Sequence, residues 1–372
     1  MAGGITIAQA IDLGQATLES FKEDSLQYTL KHNTYEIVNR WLASDKMVLD
    51  GGDRAEAYIQ LKDATNAAHV RMYDVDTPNV ENLDKKITVN WTHAKTSFSY
   101  EMKELNINSG NMRRIYNLLL SRKRAAYKAL ADLLEEAAWR TPAAADDDLN
   151  PFGIPAWVCQ ADADTATGDF NGYVPDYTVS GDTESGMTTI GGLTCTSTSN
   201  ARWASWYADH NDNLGDNLLK LLRKAFRKTK FQTPKLAGQA IDPDSAFSNF
   251  RLYTNDTVLD NLEELAQKSD DSIGFDLGKY AGNVVFKGIP FVYVDQLDTE
   301  LTYVYGGNPI FGINHNHFYP IVLNGENFRI NPPINSREQH NVFTVYCDLT
   351  YAYMCDNRRQ AGFLLSDWEG GN

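Results

Sequence analysis

A single long amphipathic helix is the feature that most limits how this chain can fold. No proline lies between Asn108 and Trp139, and apolar residues recur there at helical spacing. Asn108 and Ser109 are both suited to cap the start of the helix, and Pro142 ends it. Roughly thirty residues at about 1.5 Å each predict a rod about 45 Å long, about three times the average helix length. Such a rod is typical of a scaffold on which other elements are laid.

Extended segments are predicted on both sides of this helix. Before it, Ala55, Ala57 and Ile59 alternate with polar residues. A second alternation runs through residues 84–101, and together these segments predict a long two-stranded ribbon. A lone ribbon is marginal in water, so we expect it to need a neighbour. After the helix, alternation over Val342–Asp356 predicts one long strand whose best-matched partner is the 84–101 segment.

The region between the helix and this last strand predicts an inserted α+β unit. It begins with a loop-rich stretch over 141–215. Helices and strands are then expected over 214–230, 250–254, 256–267 and 284–294. Residues 1–46 are predicted to form a polar, mixed helical arm that is too short to bury its own apolar side chains.

Composition excludes several classes of function. The 372 residues contain 34 Lys and Arg against 49 Asp and Glu, a net charge of −15. Such an acidic chain is poorly suited to grip nucleic acid over a large surface, although passive contact with DNA is compatible with it. No segment approaches the roughly 18 apolar residues of a membrane helix, and the first ten residues lack a secretory leader. We therefore expect no membrane association and synthesis in the cytoplasm.

No motif in the sequence predicts catalysis or a cofactor. A phosphate loop, a GxSxG elbow and an HExxH helix are all missing. His315 and His317 are a close pair without an identifiable third ligand, so a hydrogen-bonded structural pair is the favoured interpretation. The loop from Asp162 to Gly168 resembles a calcium loop only superficially. The sequence therefore predicts no catalytic residue, no cofactor-binding residue and no metal ligand, and the chain is not expected to be an enzyme.

Two further sets of residues have ordinary structural explanations. The four cysteines form no CxxC pair and are expected to be buried thiols: Cys159, Cys195, Cys347 and Cys355. The basic run over 223–230 could touch phosphate, but cations at the end of a helix also complement its dipole, and that explanation is favoured.

The order of the parts, and several local runs, carry a resemblance to a known family. An arm, a β excursion, a long helix, an inserted α+β unit and a returning strand follow one another along the chain. The runs that strengthen it are NARWASWY at 200–207, NLEELAQKSDD at 261–271, DLGK at 276–279, FKGIPFVYVDQLD at 286–298 and CDLTYAYMCDNRRQAGFL at 347–364. With this order and these runs, the chain resembles the major capsid proteins of tailed double-stranded DNA bacteriophages, which have the Hong Kong 97 fold. The resemblance covers most of residues 45–368.

The resemblance implies an α+β Hong Kong 97-type fold and a division of the chain. The implied parts are an N-terminal arm (1–46), an extended β-hairpin loop (47–88), a peripheral domain with the long spine helix (89–150), an inserted axial domain (151–335) and a peripheral C-terminal strand and tail (336–372). The implied function is a structural protein that self-assembles into the hexamers and pentamers of an icosahedral head around double-stranded DNA. Its implied location is the virion.

The resemblance also implies partners and an interface. The main partner is the chain itself, with a separate scaffolding protein expected because no long scaffolding segment precedes the arm. A portal protein and decoration proteins are further implied partners. Exposed aromatics on a ribbon are costly unless covered, so Tyr58, Met72 and Trp91 are expected at the inter-subunit interface, where the tail residues Asn357, Arg358 and Arg359 are also placed. Crosslinking between subunits through Lys62, Lys85, Lys86 or Asn357 is not expected.

Two other functions are left open by the sequence. The first is an encapsulin-like nanocompartment shell, which has the same fold and encloses enzyme cargo. The second is a soluble α+β hydrolase or sugar-binding module, in which Trp203 and Trp206 would stack on a ligand. A convergent polar cleft with a perturbed carboxylate would favour this second alternative.

Overall fold

A computed structural model gives the structure of this chain. It describes residues 35–62, 67, 69–72, 83–107, 112–144, 147–161, 165–173, 175–177, 186–195, 200–230, 235–236, 239–240, 249–268, 277–280, 283–298 and 301–368. Most of the expected N-terminal arm, the cap residues Asn108 and Ser109, and residues 162–164 of the loop from Asp162 to Gly168 lie outside these ranges.

The described residues form a mixed α/β structure, as predicted. The helices are α1 (Met102–Ile107), α2 (Met112–Ala138), α3 (Ile154–Trp157), α4 (Asp216–Thr229), α5 (Asp256–Lys268), α6 (Thr302–Tyr305) and α7 (Arg358–Ala361). A π-helical turn over Ile37–Trp41 and a 3₁₀ turn over Asp295–Asp298 complete the helical elements.

The strands are β1 (Met47–Leu49), β2 (Arg54–Gln60), β3 (Asp84–Asn90), β4 (Thr92–Glu101), β5 (Asp169–Gly172), β6 (Thr189–Ile190), β7 (Leu193–Thr194), β8 (Ser205–Asp209), β9 (Lys235–Leu236), β10 (Gln239–Ala240), β11 (Phe250–Thr254), β12 (Leu277–Tyr280), β13 (Asn283–Phe286), β14 (Ile289–Tyr293), β15 (Gly307–Asn314), β16 (Phe318–Leu323), β17 (Arg329–Ile330), β18 (Ile334–Asn335), β19 (Val342–Cys355) and β20 (Gly362–Asp367).

A six-stranded sheet is organised around β19. One edge of β19 pairs antiparallel with β4, from Val342 opposite Glu101 to Tyr351 opposite Thr92. Its other edge pairs in succession with β18, β17 and β16, and β1 adds to β16 in parallel. The long helix α2 lies against β4, where the Thr96 hydroxyl donates to the Ala126 carbonyl at 3.0 Å. Alternation along β19 buries its odd-numbered side chains from Phe343 to Leu349.

An eight-stranded sheet forms the second layer, in the order β12-β13-β14-β11-β15-β20-β8-β5. The strand β20 lies between β15 and β8, antiparallel to the first and parallel to the second. Helices α4 and α5 cover one face of this sheet, with Leu222 and Phe226 of α4 and Leu262 of α5 in the apolar cluster beneath them. A larger cluster joins the two sheets, because it holds Phe311 of β15 together with Tyr351 of β19.

Most of the predicted elements are confirmed. The proline-free stretch forms α2, the alternation at the end of the chain forms β19, and β19 pairs with the second half of the 84–101 segment. The segments predicted as helices over 214–230 and 256–267 form α4 and α5. The four cysteines are free and buried.

Two segments that the sequence predicts as single strands each contain two strands. The 84–101 segment divides at Trp91, because β3 pairs with β2 whereas β4 pairs with β19. The 284–294 segment is a hairpin of β13 and β14. Lys287 and Gly288 both have positive φ, 50° and 81°, and two such residues in succession produce the tight turn that joins twisted antiparallel strands.

Sheet membership crosses the expected domain boundary at residue 335. The strand β16 lies before this boundary but pairs with β19, which lies after it. The strand β20 also lies after the boundary but belongs to the eight-stranded sheet. The chain therefore passes between the two sheets twice after β15.

Candidate functional site

The β2–β3 ribbon is the first candidate surface. Its strands are antiparallel, with Ala57 opposite Ile87, and their side chains alternate between a buried and an exposed face. Four apolar residues of the buried face belong to the main core cluster: Ala55, Ile59, Ile87 and Val89. The backbone N–H of Thr88 also donates to the carbonyl of Gly191 at 2.9 Å.

The same chain therefore supports one face of the ribbon. The expectation that the ribbon needs a neighbouring molecule does not hold for this face, because its four apolar residues are buried within the same chain and Ile87 lies against the turn between β6 and β7. At Gly191, where φ is +61°, a Cβ atom would lie 2.5 Å from the Cγ2 atom of Ile87. Glycine is thus required both by the backbone conformation and by the close approach of the ribbon.

The other face of the ribbon, and the segment beyond it, expose apolar side chains. Tyr58 is 75% exposed, Val70 is 67% exposed and Met72 is 85% exposed. Large apolar side chains this accessible are characteristic of a surface that a partner covers. The interface role of Tyr58 and Met72 stays a prediction.

Trp91, unlike Tyr58 and Met72, is half-buried against its own chain. Its indole Nε1 donates to the Gly52 carbonyl at 2.9 Å, and its ring is half-buried against the main core cluster. It lies between β3 and β4, where the chain leaves the ribbon and enters the six-stranded sheet. Within the chain, Trp91 thus fixes the base of the ribbon.

The three tail residues expected at the interface also differ from one another in their surroundings. Asn357 caps α7, because its side-chain oxygen accepts a hydrogen bond from the Gln360 backbone N–H. Arg359 is half-buried, with its guanidinium 4.5 Å from the centre of the Phe170 ring. Burial lowers the pKa of Arg359 below its ordinary value.

Arg358 lies inside its own chain and not on a surface, since it is 1% exposed. Its Nε donates to the Trp157 carbonyl at 2.8 Å, and its Nη1 donates to the Trp203 carbonyl at 2.9 Å. Its Nη2 donates to the Gly172 carbonyl at 3.1 Å and lies 3.2 Å from the Cys159 Sγ. The planar guanidinium thereby joins three separate segments of the loop-rich region to α7.

The thiols beside Arg358 are not nucleophiles. Burial raises the pKa of Cys159 to about 11 and also raises that of Cys195, although the guanidinium opposes both shifts. Both groups are therefore neutral thiols near pH 7, and a neutral thiol is a poor nucleophile and metal ligand. The hydrogen bonds of Arg358 make this a site that holds the structure together.

The segment before β1 packs against the two large sheets through Trp41. This side chain is fully buried, and its Nε1 donates to the Tyr253 hydroxyl at 3.0 Å. Its ring lies 4.6 Å from that of His315 and 5.5 Å from that of Phe318. Since Tyr253 belongs to the eight-stranded sheet and Phe318 to the six-stranded sheet, Trp41 occupies the junction of the two.

Glu135 of α2 holds the same segment from the opposite side. Its carboxylate accepts hydrogen bonds from the Ile37 backbone N–H at 3.0 Å and from the Trp139 Nε1 at 3.4 Å. The residue is fully buried. Burial raises the pKa of Glu135 from 4.5 to about 7, although these donors oppose the shift.

The tryptophans and the carboxyl group that a hydrolase or sugar-binding site would use are buried inside the chain. Trp203 and Trp206 are 1% and 0% exposed, so neither can stack on a ligand. Glu135 does not line the open cleft of about 340 Å³ beside α5 or the one of about 170 Å³ at the end of α2.

The two histidines of the sequence pair have separate partners. The His315 Nε2 bonds to the Tyr253 hydroxyl at 2.9 Å, and the His317 Nδ1 bonds to the Asp356 carboxylate at 3.0 Å. Burial lowers the pKa of His315 to about 3, so its ring stays neutral. Among the residues that the structure describes, no three His, Cys, Asp or Glu side chains are grouped as a metal site. In the same ranges, no helix has the length and apolar character needed to cross a membrane.

Three important residues were not predicted from the sequence. The sequence predicts Arg358 at an inter-subunit interface and singles out neither Trp41 nor Glu135. A signal existed for Glu135, because it lies between Leu134 and Ala138, both fully buried, and a lone carboxylate on an apolar stripe is unusual. Trp41 follows Ile37 by four residues, which is the spacing of two side chains on one helical face.

Comparison with known proteins gives no match by sequence and clear matches by structure. No protein-family model matches this chain, and no curated protein matches it. A chain of the cyanophage A-1(L) capsid asymmetric unit is 13% identical and aligns with a TM-score of 0.58 over 93% of this chain and 96% of its own length.

Two further matches have the same identity of 13% and lower TM-scores. A chain of the cyanophage Pam1 capsid asymmetric unit covers all of this chain and all of its own length, at a TM-score of 0.49. A chain of the capsid of the Myoviridae phage XM1 covers 98% of this chain and 99% of its own, also at 0.49. The fold assignment rests on the first match: this chain has the fold of the protein in the cyanophage A-1(L) capsid asymmetric unit.

Proposed function

We propose that this chain is a major capsid protein that self-assembles into the shell of a tailed bacteriophage. The observation that carries the proposal is the similarity to the cyanophage A-1(L) capsid chain over nearly the whole of both chains. A shell subunit needs no catalytic site, because its function lies in repeated contacts between copies. Its site of action is the virion capsid.

The finer assignment is a Hong Kong 97-type fold that forms hexamers and pentamers. In this proposal residues 1–46 are the arm, 47–88 the extended loop, 89–150 with 336–372 the peripheral domain, and 151–335 the axial domain. The long α2 and the β2–β3 ribbon, which the resemblance leads us to expect, support the assignment. Within the tail, β20 contributes to the sheet of the axial domain.

The exposed side of the ribbon is the proposed contact with a neighbouring copy. Tyr58 and Met72 carry this contact, because both are more than 70% exposed although they are large and apolar. Trp91 acts indirectly by holding the base of the ribbon. Asn357 and Arg359 belong to the proposed interface only through their position in the tail, and Arg358 acts within the chain.

A separate scaffolding protein, a portal protein and decoration proteins are the other proposed partners. Contact with packaged double-stranded DNA is proposed to be non-specific, because a net charge of −15 gives no large cationic surface. A shell lining that holds DNA only weakly also allows the DNA to leave.

Electron microscopy of the expressed chain tests the proposal. The chain is expected to form rings of five or six, tubes or closed shells, alone or with a candidate scaffolding protein. A monomer at all concentrations, with and without that protein, would refute the proposed function. Nucleic acid in the particles would distinguish a phage head from a nanocompartment, whose particles would contain enzyme cargo.

A further inference from the structure

The exposed face of α4 is basic from Lys220 onward, after an exposed Asp216 in the first turn. Lys220, Arg227 and Lys228 are exposed, and Arg223 and Lys224 lie half-buried between them. The helix dipole favours cations in the last turn, which accounts for Arg227 and Lys228. It does not account for Lys220, which lies in the second turn. In a chain with a net charge of −15, this face needs another explanation.

The exposed face of α5 is acidic. Asp256 and Asp260 are exposed and Glu263 is half-buried, while Val258 and Leu262 on the opposite side are fully buried. The spacing from Asp256 to Glu263 is seven residues, as is the spacing from Lys220 to Arg227. At about 1.5 Å per residue, each face presents its charges over about 10 Å. The two faces are therefore similar in length and opposite in charge.

The two helices lie on the same face of the eight-stranded sheet. The basic α4 packs on β20 and β8, whereas the acidic α5 packs on β13, β14 and β15. A cleft of about 340 Å³ lies between the loop that precedes α4 and the side of α5. Within the part of the chain that the structure describes, the charged groups of Lys220, Arg227 and Lys228 form no ion pair, and neither do those of Asp256, Asp260 and Glu263.

We propose that the basic face of α4 docks on the acidic face of α5 in a second copy of this chain. The inference rests on the proposed function, and it names the surface that joins adjacent copies within a ring. Because the two faces belong to different helices of one copy, each copy can use both, and repetition of the contact around an axis closes a ring. Opposite charges at such a contact select the partner and its orientation.

Nucleic acid is the other occupant that a basic helix face could have. The observations favour a second copy because an acidic helix lies on the same sheet face, where it repels phosphate. The whole chain also carries excess negative charge. The acidic face of α5 matches the basic face in length and gives it a partner of complementary charge without any further molecule.

Charge reversal tests the contact. The first variant reverses the basic face (K220E/R227E), the second reverses the acidic face (D256K/D260K), and the third combines all four changes, which restores both complementarity and net charge. The matched control K287E/R337E reverses two exposed cations outside both helices. Circular dichroism and thermal unfolding of the unassembled chains verify that all variants fold.

Each double variant is expected to lower the assembled fraction about tenfold at low ionic strength, whereas the control and the fourfold variant assemble like the original chain. A mixture of the two double variants is expected to form alternating six-membered rings, because each variant complements the other. It is not expected to form five-membered rings, since alternation requires an even number.

The inference is overturned if K220E/R227E assembles like the original chain, or if the fourfold variant fails as K220E/R227E does. Failure of both basic-face variants together with loss of DNA binding would instead assign α4 to phosphate. Sedimentation velocity of the unassembled chains measures the same contact as salt-sensitive self-association. A chain that self-associates through these faces but forms no shell would refute the proposed function and support the contact.

Discussion

The carboxylate of Glu135 lies 3.0 Å from the backbone nitrogen of Ile37, so a buried acid on the long helix caps the turn that carries Trp41. The acid is fully buried, and the turn is the first described element of the chain. We therefore expect the protonation state of this one carboxyl group to affect how the N-terminal segment packs against the two sheets.

Stability is expected to fall as pH rises from about 4.5 to about 7. The pKa of Glu135 is about 7 in the folded chain and 4.5 at its ordinary value, so the folded state binds the proton more tightly. The stabilisation is complete below the lower of these values and is lost as pH rises through the higher one, a difference on the order of 3 kcal/mol. Chemical denaturation of E135Q and the original chain across this range measures the slope.

The variant E135Q keeps a hydrogen-bond acceptor for Ile37 but cannot ionise, so its slope over this range is expected to be smaller. D132N is the control, because Asp132 accepts a hydrogen bond from the Tyr35 hydroxyl of the same segment but is only part-buried. An unchanged slope in E135Q, or the same reduction in D132N, would contradict the prediction. Hydrogen exchange of residues 35–42 locates the effect.

Removal of the Arg358 guanidinium is expected to destabilise the chain severely. Replacement by methionine leaves the carbonyls of Trp157, Trp203 and Gly172 without their buried donor, at a cost of about 3 kcal/mol or more. R358K keeps the charge but not the planar fork, so it is expected to recover only part of the loss. Thermal unfolding measures both variants.

R359M provides the matched control for that experiment, because the neighbouring Arg359 is half-buried and stacks on Phe170. It is expected to cost much less stability. Equal losses in R358M and R359M would mean that the buried network contributes little.

Substitution of Gly191 is expected to detach the ribbon. G191A introduces a Cβ atom 2.5 Å from the Ile87 Cγ2 atom at a residue whose φ is +61°. G288A is the control, because Gly288 has φ +81° but nothing within 4 Å of the added atom. The control measures backbone strain alone, about 1 kcal/mol. G191A should cost more, and hydrogen exchange at Thr88 should rise only in G191A.

The exposed ribbon residues are expected to affect assembly without affecting the stability of the unassembled chain. In Y58S/M72S, two side chains that are 75% and 85% exposed lose their apolar surface. The assembled fraction should fall at least several-fold, because interface energy is concentrated in a few large apolar side chains. L149S is the control, since Leu149 is 80% exposed on the loop after α2. Normal shells from Y58S/M72S would remove these residues from the interface.

The elements with strong local periodicity could be predicted from the sequence. The helix α2 followed from apolar spacing without proline, and β19 followed from seven alternations in a row. Their pairing partner β4 also followed, because both segments alternate over about ten residues. The local pattern does not show where one strand pairing ends and another begins. Both halves of 84–101 alternate equally well, although the pairing partner changes at Trp91.

The buried sites could not be predicted in the same way. An arginine in sequence is expected at the surface, and only the convergence of carbonyls from residues 157, 172 and 203 makes a buried site for Arg358. These carbonyls come from loops that have no periodic pattern. The socket of Trp41 is similarly made by Tyr253 and Phe318, which are far apart in the chain.

The position of β20 has a consequence for the order of folding. Residues 362–367 separate β15 from β8, so the eight-stranded sheet is open along its middle until they have been synthesised. A nascent chain that ends before them cannot align α4 and α5 on one continuous sheet. The proposed contact between copies through α4 and α5 would therefore have to wait until residues 362–367 have been synthesised.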